Sequence, residues 1–278
     1  MLGYQSPLLS SATEVSHRFF NRIGGTSPGP WEGLNTSFSL KDSPARVREN
    51  MARVRFQLGV GRQALFTATQ VHGVKVLEIT AGDDVEEVEA VEADALFTFA
   101  KDVAVGVRTA DCAPVLFTAK DGSVVGAVHA GWRSACGGIL DAFLAALKER
   151  GVDASDVVAA VGPAIGKESF EVGQDVIDAF LAVEDDVKVD VKALVVAGED
   201  GKSLFDLRGF CVAVLQERGV EVEIIGGDTF ADVKKYFSYR RENGTTGRMM
   251  SAIARTAPPE LPDEETLDEE WNKELWKG

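Results

Sequence analysis

Three histidines and three cysteines occur among the 278 residues, too few for a histidine-rich multinuclear metal cluster or a disulfide framework. The thiols at 112, 136 and 211 cannot all pair, so free cysteines in a reducing compartment are expected. No apolar run approaches the roughly 20 residues that span a bilayer. The first residues, MLGYQSPLLSSATEVSH, lack a basic stretch leading into an apolar core, so a cytoplasmic protein without a secretory leader is expected. Positive charge is also scarce. A net charge of −15 argues against general binding to nucleic acid or to anionic membrane. It leaves room for a local anion site, because Arg22, Arg133, Arg240, Arg241 and Arg248 recur inside distinctive segments. At 45% apolar and 26% charged, the rest has the composition of an ordinary globular domain.

VSHRFF (15–20) has strand character and runs into the glycine-bearing turn NRIGGTSPGP. Ser43-Pro44 predicts a helix start, with the serine as N-cap and the proline in the first turn. Val47, Met51, Val54 and Leu58 share a helical face, and Gly59 stops it. A β-rich stretch follows: ALFTATQ, VKVLEIT, DALFTF, VAVGVRT, APVLFT and SVVGAVHA. After Gly131 the period becomes helical, with Ile139, Leu140, Phe143, Leu144 and Leu147 as a stripe ending near Gly151. Helices are expected near 174–183 and 206–218, with the strand-like VKVDVKALVVA between them. EVEIIGG, KYFSYRR and GRMMSAIA are expected to be closing strands. This mixture predicts an α+β (mixed α/β) domain over residues 1–256. Residues 257–278 form a proline-punctuated acidic tail, for which disorder is the default. Within it Leu267, Trp271 and Leu275 could share one face of a short helix, docked on the domain or on a partner the sequence does not identify.

Three segments place a metal-capable side chain beside small residues at an element end: Gln70-Val71-His72-Gly73, Thr109-Ala110-Asp111-Cys112 and His129-Ala130-Gly131-Trp132-Arg133. A hairpin about Asp121-Gly122 sets Pro114 opposite His129 and Cys112 two positions beyond, within about 7 Å along the strand. His72 has no such local argument. Two imidazoles and a thiolate would leave zinc an open fourth position, and the same set could hold copper. Two other readings stand beside this one. Cys112 could be a nucleophile with His129 as its base, or the three could be capping and core residues. His17, flanked by apolar residues, reads as structural, and Cys136 and Cys211 as core thiols.

FFNRIGGTSPGPWEGLN, ENMARV, TQVHG, ADAL, TADCAPVLF, GAVHAGWRSACGGIL, VGPAIG, FEVG and FSYRRENGTTGRM, in this order over about residues 15–255, resemble the YfiH-type family, also called the laccase or polyphenol-oxidase domain. The resemblance implies a single-domain layered fold of mixed β-sheets sandwiched by helices. It also implies a zinc site at His72, Cys112 and His129. The activity implied is phosphorolysis of purine nucleosides (adenosine, inosine, guanosine, methylthioadenosine), with adenosine deamination, and bacterial relatives are linked to correcting peptidoglycan precursors. On that basis Asp111 is the candidate proton carrier, and Arg22, Arg133, Arg240 and Arg248 are candidates for phosphate. The alternatives are copper-dependent phenol oxidation, a thiol amidase editing cell-wall precursors, and a zinc-stabilised scaffold that presents the tail. Two features depart from the family: Asp228-Thr229 stands where Cys-Thr is frequent, and the acidic tail runs past the usual end.

Overall fold

APVLFTA and VGAVHA carry apolar or small residues at consecutive positions, the pattern of strands covered on both faces. In the computed structural model, which describes residues 2–198 and 200–259, these two segments are the central pair of the larger sheet. In chain order the strands are β1 (Gly3–Tyr4), β2 (Ser16–Phe20), β3 (Leu65–Phe66), β4 (Val76–Ile79), β5 (Ala95–Thr98), β6 (Ala104–Thr109) and β7 (Ala113–Ala119). They continue as β8 (Val125–Ala130), β9 (Val157–Val161), β10 (Glu171–Val172), β11 (Val195–Ala197), β12 (Ser203–Phe205), β13 (Glu221–Ile224) and β14 (Met249–Ala254). The helices are α1 (Pro44–Leu58), α2 (Val85–Glu89), α3 (Trp132–Cys136), α4 (Ile139–Glu149), α5 (Gln174–Leu181), α6 (Glu184–Val187) and α7 (Leu207–Glu217).

The six-stranded sheet has the order β13-β9-β7-β8-β5-β4, and the five-stranded sheet β1-β2-β14-β6-β3. Both mix parallel and antiparallel pairs. Between them, Leu96, Leu116, Ala127 and Val158 meet Phe19, Phe66, Val105 and Ile253. The far face of the larger sheet packs Val115, Phe117 and Val128 against Phe143 of α4, Phe180 of α5 and Phe210 of α7. The far face of the smaller sheet packs Phe20, Met250 and Ala252 against Val47, Met51, Val54 and Leu58 of α1. The result is helix, sheet, sheet, helix, as the resemblance implies. None of the helices described is long and apolar enough to cross a membrane.

Several local expectations are corrected. Ser43 stands at the N-cap of α1, but its side chain makes no capping bond. KYFSYRR is turn and loop: Tyr236 and Phe237 are buried with Ala110 and Met249, and Ser238 and Arg240 turn their amides to Glu242 and Asp111. In VKVDVKALVVA only Val195–Ala197 is a strand, because Asp190 caps a 3-10 turn by accepting from the Ala193 amide. VVAAV, the unforeseen β9, lies buried along its length and shows no alternation to announce it. The face of Leu267, Trp271 and Leu275 lies outside the described residues.

His17 on β2 is 1% exposed, and its Nε2 accepts the Ser6 amide at 2.8 Å. Burial first, and the charge of Arg18 second, push its pKa down from 6.5 to about 4. The unfolded chain takes up this proton near pH 6.5 and the folded chain only near 4. Stability is therefore undiminished above the unfolded value and falls as pH drops through that window, by up to about 3 kcal/mol. Denaturant midpoints at pH 7 and 4.5 should show this loss in the native chain and a smaller one in His17→Gln. Equal losses would place the acid sensitivity elsewhere.

Candidate metal centre

The β7–β8 register pairs Pro114 with His129, as the hairpin argument requires, and leaves Cys112 just ahead of β7. His129 is the penultimate residue of β8 and 4% exposed. His72 comes from the loop between β3 and β4, where its backbone takes φ 60°. These three residues offer ligand atoms that all lie within 4.8 Å of one another. The two imidazole centroids are 4.8 Å apart, edge to face.

Two features of this structure suit the trio to one metal ion. The Nδ1 atom of His72 is buried with no hydrogen-bond partner, although buried nitrogens are normally satisfied. A Cβ built on Gly131 would stand 2.4 Å from that Nδ1 and 3.1 Å from the Cys112 Sγ, so the two donors converge on a backbone that only glycine leaves clear. The third donor is oriented from behind, since the Nδ1 of His129 is bonded to Asp94 Oδ1 at 2.7 Å, leaving Nε2 for the centre. Burial alone would lower the His129 pKa, but Cys112 and Asp94 outweigh it and raise it to about 9. His72 is shifted down, first by burial and then by His129, with Arg133 adding to the effect.

Asp111 is 8% exposed, and its carboxylate accepts from Thr229 Oγ1 at 2.6 Å, Ser238 Oγ at 3.0 Å and the Arg240 amide at 2.7 Å. It thus ties the loop carrying residues 229–240 to the backbone beside Cys112. Arg133, exposed on α3, stacks 4.2 Å from the Trp132 ring, and its charge is felt at His72. Arg248 is held by the Thr246 and Gly247 carbonyls, 5.6 Å from the Tyr239 ring, within electrostatic reach of Cys112 and Asp111. Arg22 donates to the carbonyls of Glu32 and Val233 and lies 3.7 Å from Glu242. Arg240 donates to the Glu171 carbonyl and lines an open cleft of about 480 Å³ that includes none of the three metal-capable residues. The charges of Arg133 and Arg248 therefore reach the cluster, and Arg22, Arg240 and Arg248 all donate to loop carbonyls.

Asp228 accepts from Ser169 Oγ at 2.5 Å and from the Phe230 amide at 2.8 Å, bracketing two loops. Cys211 is buried, which pushes its thiol up to about 12, an inert core thiol as expected. Cys136 is only half-buried, with its Sγ 3.5 Å from the Arg133 carbonyl, because its face of the short α3 is not fully covered. Asp94 was not anticipated as a site residue. The available signal was an acid within the apolar run ADALFTF, where an unpaired charge would be costly.

Known proteins match over most of the chain. Residues 16–256 match the family described as multi-copper polyphenol oxidoreductase laccase. The chain is 39% identical over 235 residues to the purine nucleoside phosphorylase YfiH of Shigella flexneri, covering 84% of this chain and 90% of that one. A purine nucleoside phosphorylase of Haemophilus influenzae is 35% identical over 84% of this chain and 91% of its own. A solved Neisseria meningitidis structure superposes with a TM-score of 0.77 at 35% identity, over 88% of this chain and 96% of that one. YlmD of Geobacillus stearothermophilus gives 0.82 at 26% identity, over 92% and 99%.

Proposed function

Because the chain belongs to this family of YfiH-type, laccase-domain proteins, we propose that it is a zinc-dependent purine nucleoside phosphorylase that also deaminates adenosine. The observation that carries the reading is the convergence of His72, Cys112 and His129 beside two guanidinium groups. Three protein ligands leave the fourth position of a tetrahedral zinc open, as in catalytic sites. When bound there, zinc would supply Lewis acidity and the activation of water near neutral pH that deamination of adenine requires.

The chain's own residues supply the rest. Arg133 and Arg248 are the proposed phosphate contacts, since a planar guanidinium meets an oxyanion with two parallel bonds. Val71 and Val74, flanking His72, and Tyr239, beside Arg248, are 46%, 44% and 56% exposed and are the proposed contacts for a flat base. Arg22, beside Glu242, and Arg240, on the Glu171 carbonyl, shape the surrounding loops in this reading. Asp111, the candidate proton carrier, also anchors its loop, with Oδ1 accepting from Thr229 and Oδ2 from Ser238 and the Arg240 amide. Copper-dependent phenol oxidation is not proposed. His17 is buried against Ser6, which leaves two imidazoles at the cluster, too few for a multicopper centre.

Inosine turnover with and without phosphate tests the reading. Hypoxanthine and ribose 1-phosphate should form only with phosphate, and Arg133→Ala or Arg248→Ala should weaken phosphate use more than nucleoside binding. Equal hypoxanthine release in both conditions, with free ribose as the sugar, would make the chain a hydrolase. One observation favours a second reading. His129 stands between a carboxylate and a thiol, the order found in cysteine hydrolases, which fits a thiol amidase acting on cell-wall precursors. Activity retained in metal-free protein, with no purine release, would favour it.

A further inference from the structure

Asp94 is fully buried, and a carboxylate taken out of water is costly unless its lone pairs are used. Four donors use them. Oδ1 accepts from His129 Nδ1 at 2.7 Å and from the His72 amide at 3.0 Å. Oδ2 accepts from the Gly73 amide at 2.7 Å and the Val71 amide at 3.2 Å. Three of the four donors are consecutive amides of QVHG, so one carboxylate folds that loop and holds His72 at φ 60°. Such a left-handed conformation costs a non-glycine residue about 1–2 kcal/mol and persists only when its surroundings enforce it. The fourth donor is the ring of the other histidine. The backbone adds a further tie, as the His129 amide donates to the Asp94 carbonyl at 2.7 Å.

From this we infer that Asp94 is the positioning residue of the metal centre, fixing the His72 loop and the His129 ring together and committing His129 to coordinate through Nε2. The inference rests on the metal-centre reading above, not on the identity of the substrate. A carboxylate on Nδ1 keeps the proton there, leaves the Nε2 lone pair free and strengthens it as a ligand. Because the same group fixes the His72 loop, two of the three donors lose their alignment if it is altered. Asparagine cannot replace it. An amide has one accepting oxygen and one donating nitrogen, and the nitrogen would face either the His129 Nδ1–H or the loop amides.

Zinc affinity, measured by competition with a chromophoric chelator, should fall about 10- to 100-fold in Asp94→Asn, the range found when such supporting bonds are lost. Nitrogen-15 spectra of the histidines in the native protein supply a readout that does not depend on the variant folding. In the zinc-loaded form His129 should carry its proton on Nδ1, with Nε2 as the liganded nitrogen. Affinity within threefold of the native chain in a folded variant, or Nδ1 as the liganded nitrogen, would overturn the inference and leave the metal centre standing. No zinc binding by the native chain would overturn the metal-centre reading itself, and this inference with it.

Discussion

Cys112→Ala is expected to give a folded protein that no longer retains its metal. The thiol is only partly buried and belongs to none of the hydrophobic clusters, so its loss should cost no more than about 1 kcal/mol of stability. Its contribution to metal binding is far larger. Complete four-ligand zinc sites bind with about 10–16 kcal/mol, so one ligand carries roughly 3 kcal/mol, a hundredfold or more in affinity. Alanine also leaves His129 and His72 as the two remaining donors, one short of the catalytic zinc arrangement. Phosphorolysis should fall by about a hundredfold or more with the lost Lewis acid. The check is metal content after dialysis, read beside a melting curve and an inosine assay. Full metal retention with lost activity would assign Cys112 a nucleophile's part and move the chain toward the thiol-amidase reading.

Gly131→Ala should be nearly as damaging to metal binding, through a single methyl group. The backbone at Gly131 has φ −75° and ψ 164°, a region open to alanine, so no conformational strain is expected. Its place is the N-cap of α3 with no side-chain capping bond, and alanine there costs a fraction of a kcal/mol. The methyl group, however, would lie 2.4 Å from His72 Nδ1 and 2.8 Å from Cε1. Relief requires the imidazole to move by about 1 Å, and a displacement of that size at a reacting centre can cost on the order of a hundredfold. A zinc titration and a melting curve on one preparation separate the effects. Unchanged zinc affinity would show that His72 moves away without consequence and is not a ligand, whereas a collapsed melting temperature would make Gly131 a folding residue.

Local chemistry was legible in the sequence wherever it depends on near neighbours. Proline in the first turn and a left-handed Gly59 bound α1, whose buried face is the one its apolar spacing predicts. The turn at Asp121-Gly122 determined the β7–β8 register, and with it the pairing of Pro114 and His129. The order of motifs carried the resemblance to the family, and the small residues at element ends beside His72, Cys112 and His129 had already marked these three as candidate ligands. Tertiary structure decided what depends on partners far apart in the chain. KYFSYRR has the residues of a strand, but Asp111, more than 100 positions earlier, takes its amide and hydroxyl and leaves no ladder to join. The same bonds give Asp111, the candidate proton carrier, its place beside that loop. Four arginines looked alike as phosphate candidates, and only the tertiary structure set Arg133 within electrostatic reach of His72 and Arg248 within reach of Cys112. His72 reaches the cluster because Asp94 gathers its loop, and no local pattern announces that a buried carboxylate will find its four donors in a loop over 20 residues before it and a strand 35 residues after it. Hydrogen-bond demand inside a low-dielectric core acts between whichever groups the fold brings together, and sequence separation does not limit it.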